Sequence, residues 1–106
     1  MTESLIVREV DGIATVSLNR PQAYNAFNDE LLESFAAHVV RLGADQSVRA
    51  LVISGEGKAF CAGGDLRWAV AYPGGASVAF RVLAAQFHLA ILDIRLGHLR
   101  EWVIGR

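Results

Sequence analysis

Cysteine, proline and charge of one sign are all scarce in this chain of 106 residues. Cys61 is the single cysteine, which excludes an internal disulfide framework and fits a reducing compartment, so the cytoplasm is the expected location. Ten Lys and Arg nearly cancel eleven Asp and Glu, and no run of like charge occurs. That leaves no electrostatic footprint for nucleic acid or an anionic membrane. No apolar run approaches the roughly 18 to 20 residues that span a bilayer, and Met1-Thr2-Glu3-Ser4 lacks the basic-then-apolar pattern of an export signal. His38, His88 and His98 share no metal-ligand spacing, so no metal site is expected. The expected partner is a small molecule or another protein. A chain of this size supports one modest core, burying roughly 60 to 65% of its unfolded surface.

What is present is a clear order of elements. Ser4 to Val10 and Ile13 to Leu18 are β-prone runs separated by Asp11-Gly12, a pair suited to the positive φ angles of a tight hairpin turn. Pro21 then breaks the pattern and marks a loop leaving the second strand. Asn28 is placed to cap a helix, with Asp29 and Glu30 at its positive end and Leu32, Phe35, Ala36, Val39 and Val40 at helical spacing until Gly43. Ala50 to Ser54 (ALVIS) is a continuous apolar run, expected to be a strand covered on both faces and to complete a βαβ crossover. A short helix ending near Pro73 follows. A helix of about five turns is then expected from a cap at Ser77, with Phe80, Leu83, Ala84, Phe87, Ile91 and Ile94 on one face. Residues 96–106 (LGHLREWVIGR) have neither a helical nor a strand period.

The chemistry concentrates in Phe60 to Leu66 (FCAGGDL), which follows the buried strand and the Gly55-Glu56-Gly57-Lys58 loop. Adjacent glycines let backbone approach a ligand closely, and unpaired N–H groups there suit an anion or a carbonyl that becomes anionic. Taken alone, Gly63-Gly64 reads more simply as a turn. The Gly55 to Lys58 stretch is not a nucleotide-phosphate loop, because Ala59 stands where Ser or Thr is needed. Cys61 has no histidine nearby in sequence to activate it and reads as packing. Asp65 suits a cap at the following helix, Trp68 and Tyr72 suit packing, and Lys58 and Arg67 are either solvated or close to ligand phosphates.

Two blocks, SLNRPQAYNAF and LVISGEGKAFCAGGDL, separated by about thirty residues, resemble the enoyl-CoA hydratase/isomerase (crotonase) family from about Leu5 to Arg95. The resemblance implies an α/β fold, the first part of a crotonase-like spiral of ββα turns. It implies an acyl-CoA substrate, no cofactor beyond the coenzyme A that the substrate carries, and a homo-oligomer, trimeric or hexameric in the family. By the same resemblance, Gly64 matches the residue whose backbone N–H is one oxyanion-hole donor. Ala62 matches a position whose backbone meets the CoA adenine, and Ala26 and Phe27 match the stretch beside the CoA tail. Gly63, Asp65 and Leu66 complete the expected binding segment, and the Arg20 side chain is placed near the tail.

Residues 1–95 are therefore expected to be the amino-terminal part of a crotonase-like domain. In the family a further strand follows the long helix, then a Gly-rich segment with the second oxyanion donor and, in hydratases, two glutamates. Residues 96–106 depart from that pattern, as a truncated or frame-altered tail would. A chain ending there would leave the ALVIS edge and the Phe80 to Ile94 face partly uncovered and prone to self-association. Two functions stay open: an enoyl-CoA hydratase/isomerase in the full-length protein, or a non-catalytic crotonase-fold fragment or interaction domain without acid/base residues.

Overall fold

Strands Leu5–Val10 (β1) and Ile13–Leu18 (β2) pair antiparallel, with Val10 opposite Ile13. Asp11 and Gly12 between them both take positive φ, 52° and 81°, the geometry of a primed two-residue turn. The computed structural model describes residues 3–96 and 101–104. Met1, Thr2 and, in the tail, residues 97–100 with His98 and residues 105–106 lie outside the described residues.

Helix Asp29–Ala44 (α1) starts as expected, with the Asn28 side chain accepting from Leu31 N at 3.0 Å. Its buried face is Leu31, Leu32, Phe35, Val39 and Leu42, whereas Val40 is 55% exposed and Ala36 only half-buried. The face is thus rotated from the expected one. Gly43 does not end the helix; it is buried in the last turn, and Asp45 closes it by donating its N–H to Leu42 O. Packing of the neighbouring Leu42 against the core outweighs the weak intrinsic preference of one glycine.

Strand Ala50–Gly55 (β3) lies parallel to β2, with Ala14 opposite Leu51 and Val16 opposite Ile53, so β2, α1 and β3 form the expected βαβ unit. Ala14, Val16, Leu18, Leu51 and Ile53 face α1 and are at most 1% exposed. Coverage on both faces holds only in part: Val52 on the other face is half-buried. Ser17 on that face is fully buried and satisfied, donating its hydroxyl to the Glu56 carboxylate and accepting from Ser54 Oγ at 3.2 Å.

The tail is more regular than its sequence suggests. Glu101–Ile104 (β4) pairs parallel with β3, from Ala50 opposite Glu101 to Ile53 opposite Ile104, giving sheet order β1-β2-β3-β4. Four residues are too few to display a period, although Trp102, Val103 and Ile104 are all strand formers. The ALVIS strand is therefore interior to the sheet and not its edge.

Helices Leu66–Ala71 (α2) and Ala76–Leu96 (α3) lie between β3 and β4 in the chain, joined through Gly74 and Gly75 at φ near 92° and 91°. Ser77 is the second residue of α3 and not its cap. Ala79 and Leu83 are buried and Phe87 is half-buried, while Phe80 is 40% exposed and Ala84 lies outward; the side chains of Ile91 and Ile94 lie outside those described. Phe87 packs on Phe27 and Phe35 with ring centroids 4.9 and 5.2 Å away, fastening α3 to α1. Each fully buried side chain of this size contributes roughly 1.5–3 kcal/mol.

Candidate active site

Two irregular segments meet beside the sheet's carboxyl ends, residues 19–27 after β2 and residues 56–65 after β3. The first turns sharply at Tyr24 and Asn25, both left-handed at φ 52° and 59°. Asn tolerates that region because its short side chain finds local partners. Asn25 is fully buried: Oδ1 accepts from Arg20 N at 2.7 Å, while Nδ2 donates to Glu56 O at 2.9 Å and Ala59 O at 2.8 Å. One side chain thus ties the first segment to the second.

The segments then form a single parallel rung. Phe27 N donates to Gly63 O at 2.7 Å and Asp65 N donates to Phe27 O at 2.8 Å. In a parallel rung the residue between the two bonded neighbours directs its own N–H and C=O to the opposite side. Gly64 is that residue, and no acceptor among the described residues takes its N–H. Its α-carbon is close-packed: an added Cβ would lie 2.6 Å from Phe80 Cε1 and 3.2 Å from Leu83 Cδ2. Gly63 differs, needing its freedom for a φ of 96° with open space around it.

Asp65 caps α2, with Oδ1 accepting from Arg67 N at 2.9 Å and Trp68 N at 3.3 Å, while Oδ2 pairs with Arg20 Nη2 at 3.0 Å. The Arg20 guanidinium holds the Asp65 carboxyl below the usual aspartate range, helped by the Trp68 and Arg67 N–H groups. Burial pushes the Cys61 thiol up, offset in part by Gly63 N–H at 3.4 Å, which favours the neutral thiol over an activated thiolate. Trp68 Nε1 donates to Asp29 Oδ1 at 2.6 Å and its ring meets Tyr72 edge-on, as packing residues do. Among the described residues no group of three His, Cys, Asp or Glu is placed to hold a metal ion. No helix there is long and apolar enough to cross a membrane.

A cleft of about 560 Å³ opens where the segments meet. Of the expected site residues, Ala26, Ala62, Gly64, Asp65 and Leu66 line it. Gly63 is exposed but does not, and the Phe27 side chain lies in the core, leaving only its backbone near the site. Arg20 and Arg67 also line the cleft, Lys58 does not, and Gln22 and Ala23 join without having been anticipated. Sequence patterning does not announce the role of Asn25 either. The available signal was an asparagine closing a proline-led turn, the residue type best suited to a left-handed corner.

This arrangement is the crotonase fold, in part. The chain superposes on the enoyl-CoA hydratase of Mycobacterium smegmatis with a TM-score of 0.77 and 35% identity, covering 94% of this chain and 38% of that one. The sequence profile of the family described as Enoyl-CoA hydratase/isomerase matches residues 8–94, and the chain belongs to that family. It is 38% identical over 66 residues to 1,2-epoxyphenylacetyl-CoA isomerase of Escherichia coli (strain K12), covering 62% of this chain and 25% of the relative. It is 37% identical over 86 residues to 4-chlorobenzoyl coenzyme A dehalogenase-1 of Arthrobacter sp, covering 80% and 31%. The chain thus spans about a quarter to a third of the length of these relatives.

Proposed function

We propose that the cleft binds an acyl-CoA thioester and that Gly64 N–H stabilises negative charge developing on its carbonyl oxygen. The observation that carries this reading is the Gly64 N–H turned away from the Phe27 rung, with no acceptor among the described residues, at the wall of a cleft. A preorganised donor of this kind contributes roughly 3–4 kcal/mol to an enolate-like transition state. On this reading Ala62 backbone lies near the adenine, Ala26 and the Phe27 backbone flank the tail, and coenzyme A arrives with the substrate as the only cofactor group. The whole protein would be a cytoplasmic, oligomeric enoyl-CoA hydratase or isomerase. Relatives named as isomerase and dehalogenase share the family, so the donor speaks to acyl-CoA chemistry more than to one reaction.

The test is titration of the chain with crotonyl-CoA, following the absorbance of the conjugated thioester. A polarised carbonyl shifts that band to longer wavelength. Gly64→Pro, which deletes the N–H, should abolish the shift, whereas Gly64→Ala keeps the donor and controls for crowding at Phe80. An equal shift in the proline variant would refute the assignment. Hydration of crotonyl-CoA by this chain, measured alongside, separates a catalytic unit from a binding one.

A further inference from the structure

We infer that Arg20 is a positioning residue for the Gly64 N–H, bracing its loop by bonding two segments at once; this rests on the reading of Gly64 as the carbonyl donor. The rung between Phe27 and Gly64 consists of two bonds, Phe27 N to Gly63 O and Asp65 N to Phe27 O. Two bonds to one residue define a hinge, about which the segment carrying Gly64 can still pivot. Contacts away from that hinge remove the freedom. Upstream, Ala62 N donates to Tyr24 O at 3.0 Å. Downstream the contact is the Arg20 fork: Nη1 donates to Ala26 O and Nη2 to Asp65 Oδ2 at 3.0 Å, across 45 residues of sequence.

The brace is itself fixed. Arg20 N donates to Asn25 Oδ1 and Arg20 O accepts from Asn25 N at 2.8 Å, so the guanidinium projects from a closed backbone turn. Its side chain is 14% exposed and that of Asp65 21%, which shields the pair from solvent competition. A planar fork serves two acceptors in one geometry, which an ammonium does not. The carboxylate meanwhile keeps Oδ1 for the Arg67 and Trp68 N–H groups, so the same link sets where α2 starts.

The experiment compares the chain with Arg20→Lys and Asp65→Asn by two readouts. The first is amide hydrogen exchange in the free protein. Protection of the Phe27 and Asp65 amides should fall by roughly tenfold in both variants while the β2 and β3 amides stay unchanged, since a local brace opens locally. A uniform change, or none, would overturn the brace. The second is the preference for crotonyl-CoA over S-butyl-CoA, a thioether without the carbonyl. That preference, the ratio of the two affinities, should shrink by roughly tenfold whatever loss the two ligands share, the mark of a misaimed donor; equal losses for both ligands would mean a merely structural Arg20. If the unsubstituted chain shows no thioester preference, the Gly64 reading fails, and exchange still decides whether Arg20 holds the loop. Should Arg20→Lys fail to fold, Asp65→Asn, which retains the cap acceptor, carries both readouts.

Discussion

Replacing Asn25 by alanine should cost this chain a large share of its stability. The substitution removes three hydrogen bonds at once and strands Arg20 N, Glu56 O and Ala59 O around a fully buried site. At about 1 kcal/mol net per bond the loss is about 3 kcal/mol, moderated where water reaches the half-buried Glu56 end. Alanine at φ 59° adds about 1 kcal/mol of left-handed strain. A total of about 3–4 kcal/mol compares with roughly 5–15 kcal/mol for a whole domain. In urea unfolding followed by far-ultraviolet circular dichroism, the midpoint should fall by about 2 M at an m-value of roughly 1.5–2 kcal/mol/M. Asn25→Gly relieves the strain without restoring the bonds and should be about 1 kcal/mol less damaging. Asn25→Asp keeps the Arg20 bond but turns an oxygen toward two carbonyls, so at neutral pH it should be at least as damaging as alanine. A loss below about 1 kcal/mol for Asn25→Ala would refute the account of Asn25 as the tie between the two segments.

Gly55→Ala should destabilise by about 2–3 kcal/mol in the same assay, because the new Cβ would lie 2.4 Å from Phe60 O and 2.8 Å from Ala59 O, backbone atoms that cannot swing aside; an unchanged midpoint would count against this packing. The lowered Asp65 pKa means that its protonation opposes folding: its contribution is complete above the ordinary aspartate value near 4 and is lost as pH falls through its lower folded value. The stability difference between the chain and Asp65→Asn, measured by urea unfolding from pH 7 to pH 2, should accordingly shrink over that acidic range, and a constant difference would contradict the Arg20 pairing. Iodoacetamide at pH 7.5 should modify Cys61 more slowly in the folded chain than in urea, since burial raises its thiol pKa; faster modification when folded would indicate an activated cysteine.

The regular elements were legible because short-range rules decide them. Asp11-Gly12 specifies its turn by φ sign, Asn28 caps by a side chain three residues from its partner, and the β2-α1-β3 order follows from strand and helix patterning. Structure departs from sequence patterning where a longer-range contact overrides a local preference: Gly43 is carried inside α1 by packing, and residues 101–104 become a strand because β3 offers an edge. The site divides in the same way. Ala26, Ala62, Gly64, Asp65 and Leu66, which line the cleft, are named as candidates through family resemblance, not through any local signal strong enough to distinguish Gly63-Gly64 from a plain turn. The distinction between those two glycines, one turned by its φ and one squeezed by Phe80, depends on residues 16 or more positions downstream and is invisible in the motif. The brace by Arg20 and the tie by Asn25 are likewise pairings across the chain that no spacing rule announces.

The long reach of those pairings has a kinetic meaning. Asn25 bonds groups 31 and 34 residues ahead, and Arg20 one 45 residues ahead, so each waits on closure of a loop containing α1 and β3. The β2-α1-β3 unit can condense first; the cleft wall closes onto it afterwards. Substitutions at Asn25 or Arg20 should then speed unfolding and leave the folding rate nearly untouched, the pattern of contacts absent from the transition state. During synthesis the same order holds in time. The nascent chain has no cleft until Asp65 has left the ribosome, and the loop bearing Asn25 waits for partners not yet made.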